Sequence, residues 1–174
     1  MLIALSGPPG SGKSTVGMEI SKRLKFAFIS AGDLFRKMAS EKGLSLAEFS
    51  KLAESDHEID KLVDSKQLEL ALSHENAVIE GRLAAYKIPA DLKILLLASI
   101  ETRAARIAKR EQKPFMQVLK ETKERERSEQ KRYKQIYGID LNDLSAYDLI
   151  INTERFDQAK VVEIVLASIR SLER

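Results

Sequence analysis

The 174-residue chain has no cysteine and no tryptophan. The missing cysteine excludes a disulfide framework, a cysteine-ligated zinc site and a thiol nucleophile. Its two histidines, His57 and His74, lack the spacing of a metal-ligand pair. Long apolar runs are also missing, and none approaches the roughly 20 residues that cross a bilayer. The N-terminus enters a strand candidate with no basic segment before it, so no signal peptide and a cytoplasmic location are expected. Charge of one sign is scarce in excess: 29 basic against 26 acidic residues leave a net +3. So small an excess does not by itself indicate a nucleic-acid partner. The charged fraction is nevertheless 32%, above the usual value of about 25%, which suits a surface laced with ion pairs. Repeats, low-complexity tracts and linkers are absent from the sequence. One domain over residues 1–174 is therefore expected, long enough to bury a core.

Glycine is sparse, with eight in all, and three of them crowd into residues 7–12. Leu2 to Leu5 is a short apolar run that reads as a buried parallel strand. Gly7-Pro8-Pro9-Gly10-Ser11-Gly12-Lys13-Ser14 then fits the phosphate-loop pattern G-x-x-x-x-G-K-[ST] at every fixed position, and Val16 to Leu24 can continue as a helix. Small residues let such a backbone curl around a phosphate and point its N–H groups inward. Pro8 and Pro9 have no N–H, so the donors must come from Gly10 to Thr15, aided by the helix N-terminus. In this motif Lys13 bridges the β- and γ-phosphates, and the Ser14 hydroxyl ligates Mg²⁺.

Strand candidates recur at 26–30, 77–80, 92–98 and 147–152, separated by helical stretches. Ser45-Leu46-Ala47-Glu48 is a capping box opening a helix at about 46–54, with Leu44 and Phe49 as its hydrophobic staple. Ser55-Asp56-His57-Glu58 repeats the pattern, and Ile59, Leu62, Val63 and Leu70 mark one face of the helix that follows. Ser99 and Asp157 can cap two later helices. Five strands alternating with helices give an α/β class with a parallel sheet covered on both faces. Ligands of such sheets sit beyond the carboxyl ends of the strands, where Ser6–Thr15, Ser30–Asp33, Glu80–Arg82 and Asn152 all fall. Arg106 and Arg110 share a helix face, as do Arg125, Glu129 and Arg132, with Glu121–Arg125 an expected ion pair.

These residues together resemble a nucleoside monophosphate kinase. The likeness rests on Gly7–Thr15, Ile29–Arg36, Glu80-Gly81-Arg82, Arg106–Arg110 and Tyr147–Thr153. Within that superfamily the chain most resembles the short archaeal-type cytidylate kinases. It shares their length, their Ser-Ala-Gly-Asp segment at Ser30–Asp33 and their Tyr-Gly-Ile-Asp segment at Tyr137–Asp140. The resemblance implies a phosphate-loop nucleoside-triphosphatase (P-loop NTPase) fold with sheet order 2-3-1-4-5, a monophosphate-binding flap at about 31–73 and a lid at about 110–137. It implies ATP as donor, held by Gly7, Pro8, Pro9, Gly10, Ser11, Gly12, Lys13, Ser14 and Thr15. It implies CMP or dCMP as acceptor, with Arg36 and Arg82 on its phosphate and Asp33 and Glu129 also on the substrate. Lys13, Arg106, Arg110, Arg125 and Arg132 would stabilise the transferring charge. Mg²⁺ would sit at Ser14, with Asp33 and Glu80 within reach through water. A monomer with no nucleic-acid or membrane partner is expected.

Bacterial cytidylate kinases follow Gly-Arg with an acidic residue near the cytosine. Leu83 stands at that place here, so no base contact is assigned. Other acceptors, adenylate among them, stay open at this stage. A regulatory GTPase would need an Asn-Lys-x-Asp guanine reader, which the sequence lacks. Mixed charge signs over Glu121–Arg132 argue against a nucleic-acid-tracking stripe.

Overall fold

The computed structural model describes residues 1–172. Its five parallel strands lie in the order β2-β3-β1-β4-β5. They are β1 (Leu2–Ser6), β2 (Ala27–Ser30), β3 (Ala77–Glu80), β4 (Leu92–Leu97) and β5 (Leu149–Asn152). The expected order and strand count hold. The apolar run that opens the chain becomes the middle strand, with Ile3, Ala4 and Leu5 fully buried. Register brings Leu5 opposite Glu80, Ser30 opposite Glu80 and Leu97 opposite Asn152. The strands therefore end together, and the loops that leave them share one edge.

Helices α1 (Lys13–Leu24) and α8 (Gln158–Leu172) flank one face of the sheet. There Val16 and Ile20 pack with Ile3, Leu5, Ile94 and Leu96, joined by Val161, Val165 and Ile169. The other face buries Ala4, Ile29 and Ile79 with Ala84, Ala85 and Ile88, the last three in or beside the short α5 (Ala84–Lys87). Four residues before Pro89 are too few to show helical periodicity, so α5 was not legible in the sequence.

Between β2 and β3 run α2 (Ala31–Glu41), α3 (Leu46–Ser55) and α4 (Glu58–Leu72). They own a small core of Met38, Ala39, Phe49, Ala53, Ile59 and Val63. The capping box forms as expected: Ser45 Oγ accepts from the Glu48 N–H, and the Glu48 carboxylate accepts from the Ser45 N–H. The second capping box does not form. Ser55 ends α3, its hydroxyl donating to the Leu52 carbonyl at 2.9 Å, and Asp56 instead accepts from the Glu58 N–H. The inward face of α4 also differs from expectation. Leu62 and Leu70 are exposed, while Ile59, Asp60, Val63, Gln67 and Ala71 are buried. Polar residues occupy that face because it lines a cleft as well as a core.

After β4 come α6 (Ile100–Glu111) and α7 (Phe115–Tyr137). Ser99 caps α6 by accepting from the Thr102 N–H. The apolar contact between the two helices is small, built on Ala104, Ile107 and Val118. Gly138 ends α7 in the left-handed region, at φ 69°, where a Cβ would be strained. Among the described residues no helix is long and apolar enough to cross a membrane.

Candidate active site

The loop between β1 and α1 is shaped by close approaches. Gly7 lies so near the Leu96 carbonyl that a Cβ would fall 2.3 Å from its oxygen. Gly10, at φ +80°, would place a Cβ 2.7 Å from the Arg103 carbonyl oxygen. The Pro8 carbonyl accepts from the Ser11 N–H at 3.2 Å and from Lys13 Nζ at 3.1 Å. The prolines thus supply acceptors and no donors to the loop, as their chemistry requires. Ser14 and Thr15 are exposed at the start of α1.

Lys13 Nζ lies 3.6 Å from Glu80 Oε1 at the end of the neighbouring strand. Burial pushes the Lys13 ammonium below its ordinary value, against the opposing attraction of Glu80. Glu80 is itself buried, and its other oxygen accepts from the Ser30 hydroxyl at 2.8 Å. The Glu80 carbonyl accepts from Gln67 Nε2 of α4 at 2.8 Å. The glycine after it packs under Ala31 and Gln67 with no space for a side chain, since a Cβ on Gly81 would stand 3.0 Å from Ala31 Cβ. This packing sets Arg82 at the strand edge. Leu83 is buried, so it offers nothing to a base.

Arg82 meets the long helix α7 here. Its Nε is 3.3 Å from Glu129 Oε2, while Glu129 Oε1 accepts from Arg125 Nε at 2.8 Å. Glu129 is buried. Burial alone would raise its carboxyl, but Arg125 and Arg82 outweigh that and hold it below the usual range. Arg82 Nε and Glu129 Oε2 face each other without hydrogen-bond geometry, which leaves both atoms buried and unpartnered. Unpartnered buried polar atoms are costly and are concentrated at sites that receive other groups. Arg125 pairs with Glu129 rather than with Glu121, which pairs with Lys113 on the outer face.

Arg132, one helical turn beyond Glu129, donates from Nε to Asp60 Oδ2 at 2.8 Å and from Nη1 to Ser128 Oγ at 2.7 Å. Tyr137 donates to Asp64 Oδ2 at 2.6 Å, and Lys87 Nζ stands 3.1 Å over its ring. Tyr137 is thus a packing and hydrogen-bonding residue of α7, while the Tyr133 ring centre lies 5.7 Å from the Arg132 guanidinium carbon. Arg36 folds back over Gly32 and pairs with Asp33 at 2.5 Å, both side chains being more than half exposed. They sit at the start of α2, beside Ala31 and hence beside Gly81.

On the far side of the loop is a cavity of about 330 Å³ lined by Gly10–Gly12, Thr15, Arg106, Arg110, Thr153, Phe156 and Val161 among others. Arg106 is fixed there by donating to Thr153 Oγ1 at 2.9 Å and to the Thr153 carbonyl at 2.7 Å. Arg110, next on that face, stays largely exposed. Arg103 is the residue that sequence reasoning passed over. It is buried, donates to the Ala98 carbonyl at 2.9 Å and the Pro9 carbonyl at 3.1 Å, and pairs with Glu126 of α7. It braces loop, α6 and α7 together. Its only sequence signal was its place one turn before Arg106.

The model of the cytidylate kinase-like family matches residues 2–155. The chain belongs to that family. A relative from Methanothrix thermoacetophila, named cytidylate kinase, is 50% identical over 99% of this chain and 100% of its own length. Another of that name, from Archaeoglobus fulgidus, is 46% identical over 97% of this chain and 94% of its own. Among solved structures, the shikimate kinase of Bacteroides thetaiotaomicron superposes with a TM-score of 0.64 at 15% identity, covering 98% of each chain. That likeness is one of fold. It fits the observed sheet order and the edge at which the family's motifs meet.

Proposed function

We propose that the chain is a cytidylate kinase that transfers the γ-phosphoryl group of ATP to CMP, and to dCMP, releasing ADP and CDP or dCDP. One observation carries the reading. Arg82 and Arg125 converge on the buried Glu129 carboxylate, and Lys13, paired with Glu80, lies close enough to act on it, beside an intact phosphate loop and with Arg82 Nε still unpartnered. Three cations beside two buried carboxylates leave a net positive cradle for an anion, and phosphoryl transfer needs little else from protein than positioning and charge neutralisation. The names of the archaeal relatives supply the acceptor.

In this reading Gly7–Thr15 hold the donor triphosphate, and the cavity by Arg106 and Arg110 receives its nucleoside. Residues 31–73 form the acceptor flap, with Arg36, Arg82 and Asp33 at the acceptor phosphate. Residues 110–137 form the lid, which brings Arg125, Glu129 and Arg132 over the reacting groups. An oxygen of the acceptor phosphate attacks the γ-phosphorus as the bond to the β–γ bridging oxygen breaks, and ADP leaves. Arg is suited to both phosphates because its planar fork meets two oxygens at once. The donor set fits Mg²⁺. Ser14 offers an exposed hydroxyl, while the Glu80 oxygens are engaged by Lys13 and Ser30, and no group of three acidic or histidine side chains gathers among the described residues. Such a site suits an ion that draws most of its ligands from phosphate and water. Bound there, Mg²⁺ would offset charge on the β- and γ-phosphates. The site suits a soluble monomer acting on small molecules.

An acceptor panel with ATP and Mg²⁺ tests the proposal. CMP and dCMP should exceed AMP, GMP, UMP and shikimate in kcat/KM. AMP as the clear best acceptor would remove the cytidylate reading and leave the kinase reading in place.

A further inference from the structure

Helix α7 meets the flap helices through a row of polar contacts. Ser128 donates to Glu54 Oε1 at 2.6 Å, Arg132 Nε to Asp60 Oδ2 at 2.8 Å, and Tyr137 to Asp64 Oδ2 at 2.6 Å. Arg132 Nη1 also donates to Ser128, so Glu54, Ser128, Arg132 and Asp60 form one chain of contacts. Among the described residues no apolar cluster contains residues of both α7 and the flap helices α2–α4. The flap core and the α6–α7 core are separate. An interface held mainly by hydrogen bonds, with no shared apolar cluster, opens and recloses while exposing little apolar surface.

The central contact is unlike the outer two. Asp60 and Arg132 are both buried, with side chains 7% and 10% exposed, whereas the Ser128–Glu54 contact lies at the surface. A buried ion pair contributes little to stability because desolvating both partners offsets their attraction, and its best-attested use is to fix geometry. Here the geometry fixed is that of a guanidinium. Asp60 holds Nε and Ser128 holds Nη1, which leaves Nη2 with no hydrogen-bond partner among the described residues.

We propose that Asp60 is a positioning residue for Arg132, and that through it the lid arginine takes its working orientation only when the flap is docked against α7. This rests on the proposed kinase reading. The flap carries the acceptor and α7 closes over the donor, so a flap carboxylate that orients a lid arginine links the two binding events. Linkage is reciprocal: acceptor tightens donor binding by the same factor that donor tightens acceptor binding. The same link keeps Arg132 from serving transfer to water while the flap is open.

The test uses the whole chain and a non-hydrolysable ATP analogue. In the unaltered protein, saturating CMP should tighten analogue binding by about fivefold or more. In Asp60→Ala that factor should fall to about one, with kcat reduced by about tenfold or more and the affinity for each nucleotide alone within about twofold. Asp60→Glu, which restores a carboxylate on the same helix face, should recover part of both. Because the chain lacks cysteine, Lys51→Cys with Lys120→Cys gives a dye pair that reports flap–lid distance independently of turnover. Added analogue plus CMP should shorten it in the parent and not in Asp60→Ala. A normal coupling factor and normal distance change in Asp60→Ala would overturn the proposal, even if the variant melts earlier. Failure of the kinase reading looks different: the parent itself would then show no transfer to CMP.

Discussion

Lys13 shows what burial does to a charged residue in a glycine-rich loop. Its ammonium is held between the Pro8 carbonyl and Glu80, with Arg82 close enough to act against its charge. A lysine kept this way is costly unless an anion arrives, and ATP supplies one. Lys13→Ala should lower kcat on the order of 10²–10³-fold, the usual loss when one preorganised donor to developing charge is removed. Circular dichroism and melting should stay near those of the parent, because among the described residues the Lys13 ammonium contacts only the Pro8 carbonyl and Glu80 and belongs to no apolar core cluster. A variant retaining near-normal turnover would contradict the assigned role. The loop residues were fully legible in the sequence, since G-x-x-x-x-G-K-[ST] is a local pattern. Arg103 was not, because its partners, Pro9 and Glu126, are far from it in the chain. Only folding makes an arginine on α6 a brace for the loop.

At the scale of elements, α4 carries two carboxylates one turn apart on the face toward α7. Asp64 is the titrating member. Burial pushes its carboxyl up to about 6, opposed by the Tyr137 hydrogen bond and the nearby Lys87. The folded protein therefore binds this proton more tightly than the unfolded chain, whose carboxyl keeps the ordinary value of 3.8. The contribution is present in full below about pH 4 and is lost as pH rises through about 6. Asp64→Asn keeps an acceptor for Tyr137 and cannot titrate. Its melting temperature should match the parent near pH 4 and exceed it increasingly toward pH 7. A difference that does not change with pH would remove Asp64 as the source. Element boundaries show a similar division. The Ser45–Glu48 box was readable because both halves lie within four residues. The apparent box at Ser55 failed because Ser55 still belongs to α3, where its hydroxyl donates to the Leu52 carbonyl.

The whole molecule divides into a rigid sheet and two helical arms with their own small cores. Strands β1, β3 and β4 are buried on both faces, while α7 rests on a small apolar cluster around Val118 and a set of ion pairs. Elements of low apolar contact open at low free-energy cost. Amide exchange over residues 115–137 should be fast in the free protein and slow markedly with an ATP analogue and CMP together. Exchange in β1 and β3 should hardly change. Strong protection of α7 in both states would rule out a moving lid. Closure of this kind excludes water from the transferring group and so directs it to the acceptor.

Sequence alone determined the sheet class, the phosphate loop, most helix caps and the family resemblance. Each of these depends on residues close together in the chain or on the order of short motifs. What lies across the cleft was decided only in the folded state. The sequence placed Arg125, Glu129 and Arg132 on one helix face, yet it could not say that Glu129 would meet Arg82 or that Arg132 would meet Asp60. It also read α4 as an apolar face through Leu62 and Leu70, when the buried face holds Asp60 and Gln67. Periodicity reports where apolar residues repeat. A buried polar residue is tolerated only when a partner from another element satisfies it, and that partner is supplied by tertiary packing.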